Sequence, residues 1–430
     1  MALYKFGERT VSSDAPTFQK ELENVHTASA EQKPRCLCRH GEPGHDEGIA
    51  MVVAKIGGRF TVKRWPNSAE KHAANCGFSE LPMEMTPYGA LQRGEAVLTL
   101  SSGHIRLRLD FSLAEGGERE KPGGNIDGGE HHEPEQGEGD SNTKKLTIRA
   151  ALHYLWHEAD LDKWDRGCAG IRDWAMISGS LRMAANEKHT GSGPLGQLLF
   201  VPEVLGMETE LPGIAGARAK IASRKKIDDK LTPLLLLIAE YKDIKHYDQY
   251  SHTFTTEDVP EYPFLMEDEN EHPWSYFSKN FRMAADIFST TFKDELDLLR
   301  EHKNCHLITI ATFSFSDRLV ALKKAAVMLV NENWLPFQNV NEKRIIDELT
   351  AKNRLFDIVL RFNQHINSTR PFIILKDAAP RPTALYIVPE RPKEDYKEER
   401  EKQAELGNYA VWEWNPSIDA DYPPLPMSQE

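Results

Sequence analysis

The pattern that most constrains this chain is Cys36-x-Cys38 followed, after an expected β-hairpin, by His72-x₃-Cys76. Three of five cysteines, at 36, 38, 76, 168 and 305, fall within 41 residues of one another. An odd, sparse set in 430 residues does not form a disulfide framework. It does suit a tetrahedral Zn²⁺ site, which takes sulfur at ~2.3 Å and imidazole nitrogen at ~2.0 Å. Two cysteines one residue apart grip one edge of the tetrahedron. A His and a Cys with three residues between them lie on one turn and grip the opposite edge. Four protein donors fill four corners, so the expected site is structural, with Zn²⁺ bound by Cys36, Cys38, His72 and Cys76. His40 and His45 compete with His72 for the fourth position, and the alternative to a metal is three unrelated thiols and a surface imidazole. Cys168 and Cys305 stand alone and read as buried thiols; His131-His132 reads as part of a solvated tract.

The hairpin between the two ligand pairs is predicted from MVVAKIGGRFTVKRW, where Gly57-Gly58 supplies the positive φ of a tight turn between two β-branched runs. TFQKELENV is weakly helical, AEKHAANC is a short helix or turn, and a second hairpin joins Ala96–Leu100 to Ile105–Phe111. Residues 114–145 hold eight glycines, nine acidic and four basic side chains and almost nothing apolar, which predicts a flexible acidic linker. Beyond it, Leu152, Leu155, Trp156 and Ala159, then Trp174, Ile177, Leu181 and Ala184, mark two amphipathic helices. A strand at Leu198–Val201, a basic helix over 214–226, a buried strand at Leu234–Ala239, a long helix over Trp274–Leu299 and a strand at His306–Phe315 follow. Leu319–Val330 is a helix or a strand, and Glu342–Phe362 is helical. The chain closes with strands Phe372–Lys376 and Thr383–Val388, a charged helix Lys393–Leu406 and a strand Tyr409–Trp414. The fold class is α+β and multidomain. The expected divisions are a zinc-binding β-rich domain (1–113), the linker (114–145), a helical, winged-helix-like domain (146–205), an α/β domain (206–340) and a C-terminal module (341–430).

Acidic residues outnumber basic ones 66 to 53, giving a net charge of −13. That excludes a protein coating nucleic acid over its whole surface, but not a local basic patch. Arg172, Arg182 and Lys188 in the helical region, and Arg218, Lys220, Arg224, Lys225 and Lys226, are the candidates for DNA contact; Phe313 and Phe315 are either base-stacking or core. No apolar run reaches the ~18 residues that span a bilayer, and the first residues lack an apolar signal core, so no membrane partner and a cytoplasmic location are expected.

The strings RCLC and MVVAKIGGRFTVKRWPNSAEKHAANC, followed by LHYLWHEADLDKW, PLLLLIAEYKDIK, ATFSF, NWLPF and PTALYIVPE, resemble an uncharacterised bacterial family, domain of unknown function 1173. The resemblance extends over nearly the whole chain outside the linker. The family is marked by three cysteines near the N-terminus, which map onto Cys36, Cys38 and Cys76. Its association with plasmids and integrating elements implies a bacterial cytoplasmic setting and partners, DNA or protein, belonging to a mobile genetic element. It implies no particular reaction.

The C-terminal β-turn-β-α-β order resembles the end of the restriction-endonuclease-like fold, whose enzymes cluster an Asp and a Glu-x-Lys around Mg²⁺. Here the second strand, Ala384-Leu385-Tyr386-Ile387-Val388, has no Glu-x-Lys; Asp377 ends the strand before it and Glu390 lies beyond it, so a degenerate scaffold is expected. Glu240-x-Lys242 after a buried strand, with Asp228 or Asp229 upstream, has the form of such a centre, because residues i and i+2 of a strand share a face. Its competing reading is a solvated strand end with a weak ion pair. The leading expectation is therefore a zinc-stabilised, enzymatically silent, nucleic-acid-associated or assembly factor. The alternatives are a divalent-metal nuclease that uses Glu240, Lys242 and Asp228 with Mg²⁺, and a protein-interaction scaffold.

Overall fold

A computed structural model describes residues 2–56, 59–65, 68–82, 86–100, 104–115, 143–165, 167, 169–186, 188–202, 222, 232–241, 274–276, 282–284, 290–302, 304–315, 320–364 and 368–429. The expected basic helix over 214–226, apart from residue 222, and most of the expected linker lie outside them, as do Cys168 and the His131-His132 pair.

The N-terminal region is an antiparallel sheet in the order Arg9–Ser12, Leu3–Phe6, Arg35–Cys36, Ile49–Ile56, Arg59–Arg64. The strand Ile49–Ile56 alternates as a half-buried strand must, with Met51 and Val53 turned inward. The helix Phe18–His26 closes that inner face through the fully buried Leu22. Gln19 on the same helix caps the exposed sheet edge. Its amide donates to the Phe60 carbonyl at 2.8 Å and accepts from the Phe60 N–H at 3.1 Å, which blunts an edge otherwise open to pairing.

The largest sheet is built on Leu235–Glu240, His306–Phe315 and Val320–Val330, paired antiparallel in that order. Leu235, Leu236, Leu237, Ile238 and Ala239 are all buried, so the continuous apolar run reads as a strand covered on both faces. The helices Ile148–Glu158 and Lys293–Glu301 lie against this sheet. Thr147 and Asp173 cap the helices that follow them, Ile148–Glu158 and Trp174–Ala185, by accepting the N–H groups of Ala150 and Met176.

A third sheet has the order Ala410–Trp414, Thr383–Ile387, Ile373–Leu375, Phe356–Ile358, Lys163–Trp164. Its last strand comes from far upstream, and the Ile358 N–H donates to the Asp162 carbonyl at 2.7 Å. Ile105–Leu107 pairs with Lys188–Thr190, and Leu199–Phe200 pairs with Leu235–Glu240. Segments on either side of the divisions expected at 113, 205 and 340 therefore share sheets, and one apolar core runs from Leu91 to Trp414.

Three expectations change. Among the described residues, the helix foreseen over Trp274–Leu299 is helical at 290–291 and over Lys293–Glu301, whereas Trp274–Tyr276 and Arg282–Ala284 are paired strands, in a stretch whose aromatic residues favour a pleated surface. The helix foreseen over Glu342–Phe362 spans Val340–Ala351. Asn353, at φ +50°, takes the left-handed conformation that ends helices, the Arg354 N–H closes back on the Leu349 carbonyl, and Phe356–Ile358 becomes a strand. The ambiguous stretch before Val330 is a strand, and Leu198–Val201 is one turn of helix ending at Leu198 followed by the strand Leu199–Phe200.

Candidate metal centre

The two ligand pairs reach the site by different local devices. Cys36 sits on a two-residue strand wedged between Tyr4 and Ile49 and is 2% exposed. From there the chain turns back on itself, with the Leu37 N–H on the Leu3 carbonyl and the His40 N–H on the Leu37 carbonyl, both at 3.0 Å, which swings Cys38 beside Cys36. The loop can close only with glycine at position 48. Its φ is +73°, and a Cβ there would stand 2.9 Å from the Cys36 carbonyl oxygen. On the other side of the hairpin a short 3₁₀ turn, Ala69–Lys71, presents His72, and the Cys76 N–H bonds the Ala73 carbonyl at 2.8 Å. The strands Ile49–Ile56 and Arg59–Arg64 carry the second pair back over the first.

The four donor atoms lie within 4.8 Å of one another. Cys36 Sγ and Cys76 Sγ are 3.8 Å apart. His72 Nδ1 is 3.5 Å from Cys38 Sγ and 3.6 Å from Cys76 Sγ. A tetrahedron with Zn–S of ~2.3 Å and Zn–N of ~2.0 Å has S–S edges of ~3.8 Å and S–N edges of ~3.5 Å. The spacing is compatible with a shared cation. Hydrogen bonds from Cys36 and Cys76 hold the Cys38 thiol below the usual range, while the bond to Cys38 pushes Cys36 above it. The backbone N–H of Ala73 points at Cys38 Sγ from 3.4 Å, a donor of the kind that supports metal-bound sulfur.

A family model matching residues 4–417 decides the family. The chain belongs to the family described as protein of unknown function DUF1173. No curated protein and no solved structure matches it.

In this DUF1173 chain the imidazole that meets the sulfurs is His72, which is 5% exposed; His40 is exposed, and neither it nor His45 joins the cluster. Metal content measured on three variants checks this. His72→Ala is expected to lose metal by more than the roughly 10–100-fold that removal of an outer partner costs, whereas His40→Ala and His45→Ala keep it. Retention of metal by His72→Ala would return the fourth position to another donor.

The described members of the other sequence candidates have partners of their own. Glu240 ends its strand and accepts from His306 Nδ1 at 2.8 Å, while Lys242, Asp228 and Asp229 lie outside the described residues. The Arg172 guanidinium donates to the Leu161 and Lys163 carbonyls, Arg182 donates to the Val201 carbonyl at 3.1 Å, and Lys188 pairs with Glu158 at 2.8 Å. These three cations are tied into the fold. Phe313 is fully buried in the core; Arg218, Lys220, Arg224, Lys225 and Lys226 lie outside the described residues.

A charged cluster escaped the sequence reading. His157 Nδ1 stands 2.6 Å from Asp162, Lys163 pairs with Asp160 at 2.8 Å, and Glu80 meets Arg64. Its signal was present in HEADLDKW, where five ionisable side chains interrupt an otherwise apolar stretch. Burial opposes the charge on His157, but the adjacent Asp162 carboxylate and the hydrogen bond to it outweigh burial and raise the imidazole pKa. A raised folded-state pKa stabilises the fold fully below the unfolded value of ~6.5, and that contribution is lost as pH rises through the folded value. The stability gap between the native chain and His157→Gln, measured by urea unfolding, is expected to be widest in mild acid and to narrow towards alkaline pH. A gap that widens with pH would contradict the pairing.

Proposed function

We propose that this chain is a zinc-stabilised protein that acts by binding rather than by catalysis, as a nucleic-acid-associated or assembly factor of a mobile genetic element in the bacterial cytoplasm. One observation carries the zinc assignment: four protein donors lie within 4.8 Å of one another, and Cys36 Sγ–Cys76 Sγ at 3.8 Å, His72 Nδ1–Cys38 Sγ at 3.5 Å and His72 Nδ1–Cys76 Sγ at 3.6 Å are close to the edges of a zinc tetrahedron. With every corner filled by the protein, no position is left for water or substrate, as in structural sites.

The absence of catalysis is supported by the C-terminal module. Its order is the helix Val340–Ala351, three antiparallel strands, the helix Tyr396–Leu406 and a final strand parallel to the third. That connectivity favours a degenerate restriction-endonuclease-like scaffold. The third strand, Thr383–Ile387, carries no carboxylate, and Asp377 after the second is held by Arg354 Nε at 3.0 and 3.1 Å and by the Leu355 N–H at 3.0 Å. A carboxylate so engaged caps the fold and is poorly placed to collect Mg²⁺. The mobile-element setting rests on the family resemblance, and the contact with DNA on the basic segment 218–226.

Elemental analysis of the purified chain is expected to return one zinc per molecule. The same preparation is expected to leave plasmid DNA uncut with Mg²⁺ or Mn²⁺, and to bind duplex with an affinity that falls steeply as salt rises. Zinc-free protein would remove the metal assignment. Metal-dependent cleavage abolished by Glu240→Ala would replace this reading with a phosphodiesterase built on Glu240, Lys242 and Asp228. Copurification with a protein partner and no affinity for DNA would leave the assembly role alone.

A further inference from the structure

We propose that Lys376 latches the metal-binding segment to the C-terminal sheet, so that zinc and the sheet hold each other in place across 300 residues of chain; the inference rests on the zinc reading above. Lys376 follows the strand Ile373–Leu375 and is 2% exposed. Its ammonium lies 2.6 Å from Asp357 Oδ2 and donates to the Ser79 carbonyl at 2.9 Å, with the Gly77 carbonyl at 3.5 Å. Gly77 and Ser79 are the first and third residues after the ligand Cys76.

The segment between ligand and latch is stiff. The Ser79 N–H bonds the Cys76 carbonyl at 3.1 Å, and the Ser79 hydroxyl bonds the Cys76 and Ala74 carbonyls at 2.8 and 3.0 Å. One end of this turn is a metal ligand, and the other supplies the oxygens that a buried ammonium requires. Two further contacts follow at once. Glu80 pairs with Arg64 and approaches Lys163 to 3.6 Å, and Leu81 packs on the apolar face that includes Ile374 and Tyr386.

A buried cation must be paired and hydrogen-bonded. An ordered Ser79 carbonyl therefore stabilises the docked sheet, and a docked Lys376 stabilises the turn that presents Cys76. Coupling of this kind is reciprocal: what zinc does for the sheet, the sheet does for zinc by the same factor. The latch predicts that a change at residues remote in sequence from every ligand weakens metal binding.

The experiment is a zinc competition titration with a chromophoric chelator on the full-length chain. Asp357→Leu/Lys376→Met replaces the ion pair by apolar groups and avoids an orphaned charge. It is expected to bind zinc about tenfold more weakly than the native chain, within the usual 5–150-fold range of coupling, with its circular dichroism unchanged. Glu80→Gln, which leaves Lys376 and Asp357 in place, is the second variant and is expected to weaken zinc about fivefold, at the lower end of that range. Zinc removal is expected to speed hydrogen exchange at residues 373–376. Native zinc affinity in both variants, or exchange at 373–376 that ignores the metal, overturns the latch while leaving the zinc site standing. A native chain that takes up no zinc overturns both, and elemental analysis alone identifies that case.

Discussion

Cys38→Ser is expected to release the metal and unfold the N-terminal sheet. The reason is the size of what remains. The cluster behind that sheet consists of eight buried residues, among them Tyr4, Leu22, Met51 and Val53. A core of that size cannot offset the ordering entropy of about 80 residues. Structural zinc supplies roughly 10–16 kcal/mol in small domains, more than the net stability of most folds. The ligands are also spread over both sides of the hairpin, so losing one corner frees Cys36 and Cys38 from His72 and Cys76 together. Thermal unfolding with and without a chelator checks this. The native chain should lose its first transition when stripped, and Cys38→Ser should lack that transition from the start. Cys305→Ser is the control, since Cys305 is half-buried and remote from the cluster. A Cys38→Ser chain that keeps both its zinc and its unfolding curve would show that the fold does not depend on the site.

The second large effect is expected from Asp357→Leu. Asp357 is 7% exposed and Lys376 2%. Burial pushes the Asp357 carboxyl up and the Lys376 ammonium down, and each is held charged by the other. Removing the carboxylate alone strands an ammonium that no water reaches, at a cost of about 3–5 kcal/mol. Adding Lys376→Met to the same chain removes the stranded charge, and most of the lost stability should return. Denaturant unfolding of the native chain and the two variants measures the difference. A single substitution that costs nothing, or a double one that costs as much as the single, would mean that the pair does not act as a unit.

Much of the local structure was legible in the residues because it is governed by neighbours. The hairpin strands Ile49–Ile56 and Arg59–Arg64, the helices Ile148–Glu158 and Trp174–Ala185 and the order of the C-terminal module follow from alternation, 3.6-residue periodicity and capping side chains. The four donors were legible for a similar reason, since short cysteine and histidine spacings carry a geometry of their own. Trp274–Tyr276 and Arg282–Ala284 were read as helix because their preference for a pleated surface is weak without a partner strand, and only pairing supplies it. The helix end at Asn353 was missed because a single residue in the left-handed region gives no periodic signal.

The residues by themselves determined that a soft, four-donor metal site is available near the N-terminus, which elements flank it, and that the strand Thr383–Ile387 carries no Glu-x-Lys. Donor chemistry and short-range periodicity act within a few residues and need no partner. Only the tertiary structure decided that His72 rather than His40 or His45 meets the sulfurs, that Arg172, Arg182 and Lys188 are tied into the fold, and that Lys163–Trp164 completes a sheet formed some 190 residues later. Each of these depends on which distant segment fills the space beside a group. That is settled by burial and by the need to satisfy every buried charge and carbonyl, not by sequence spacing.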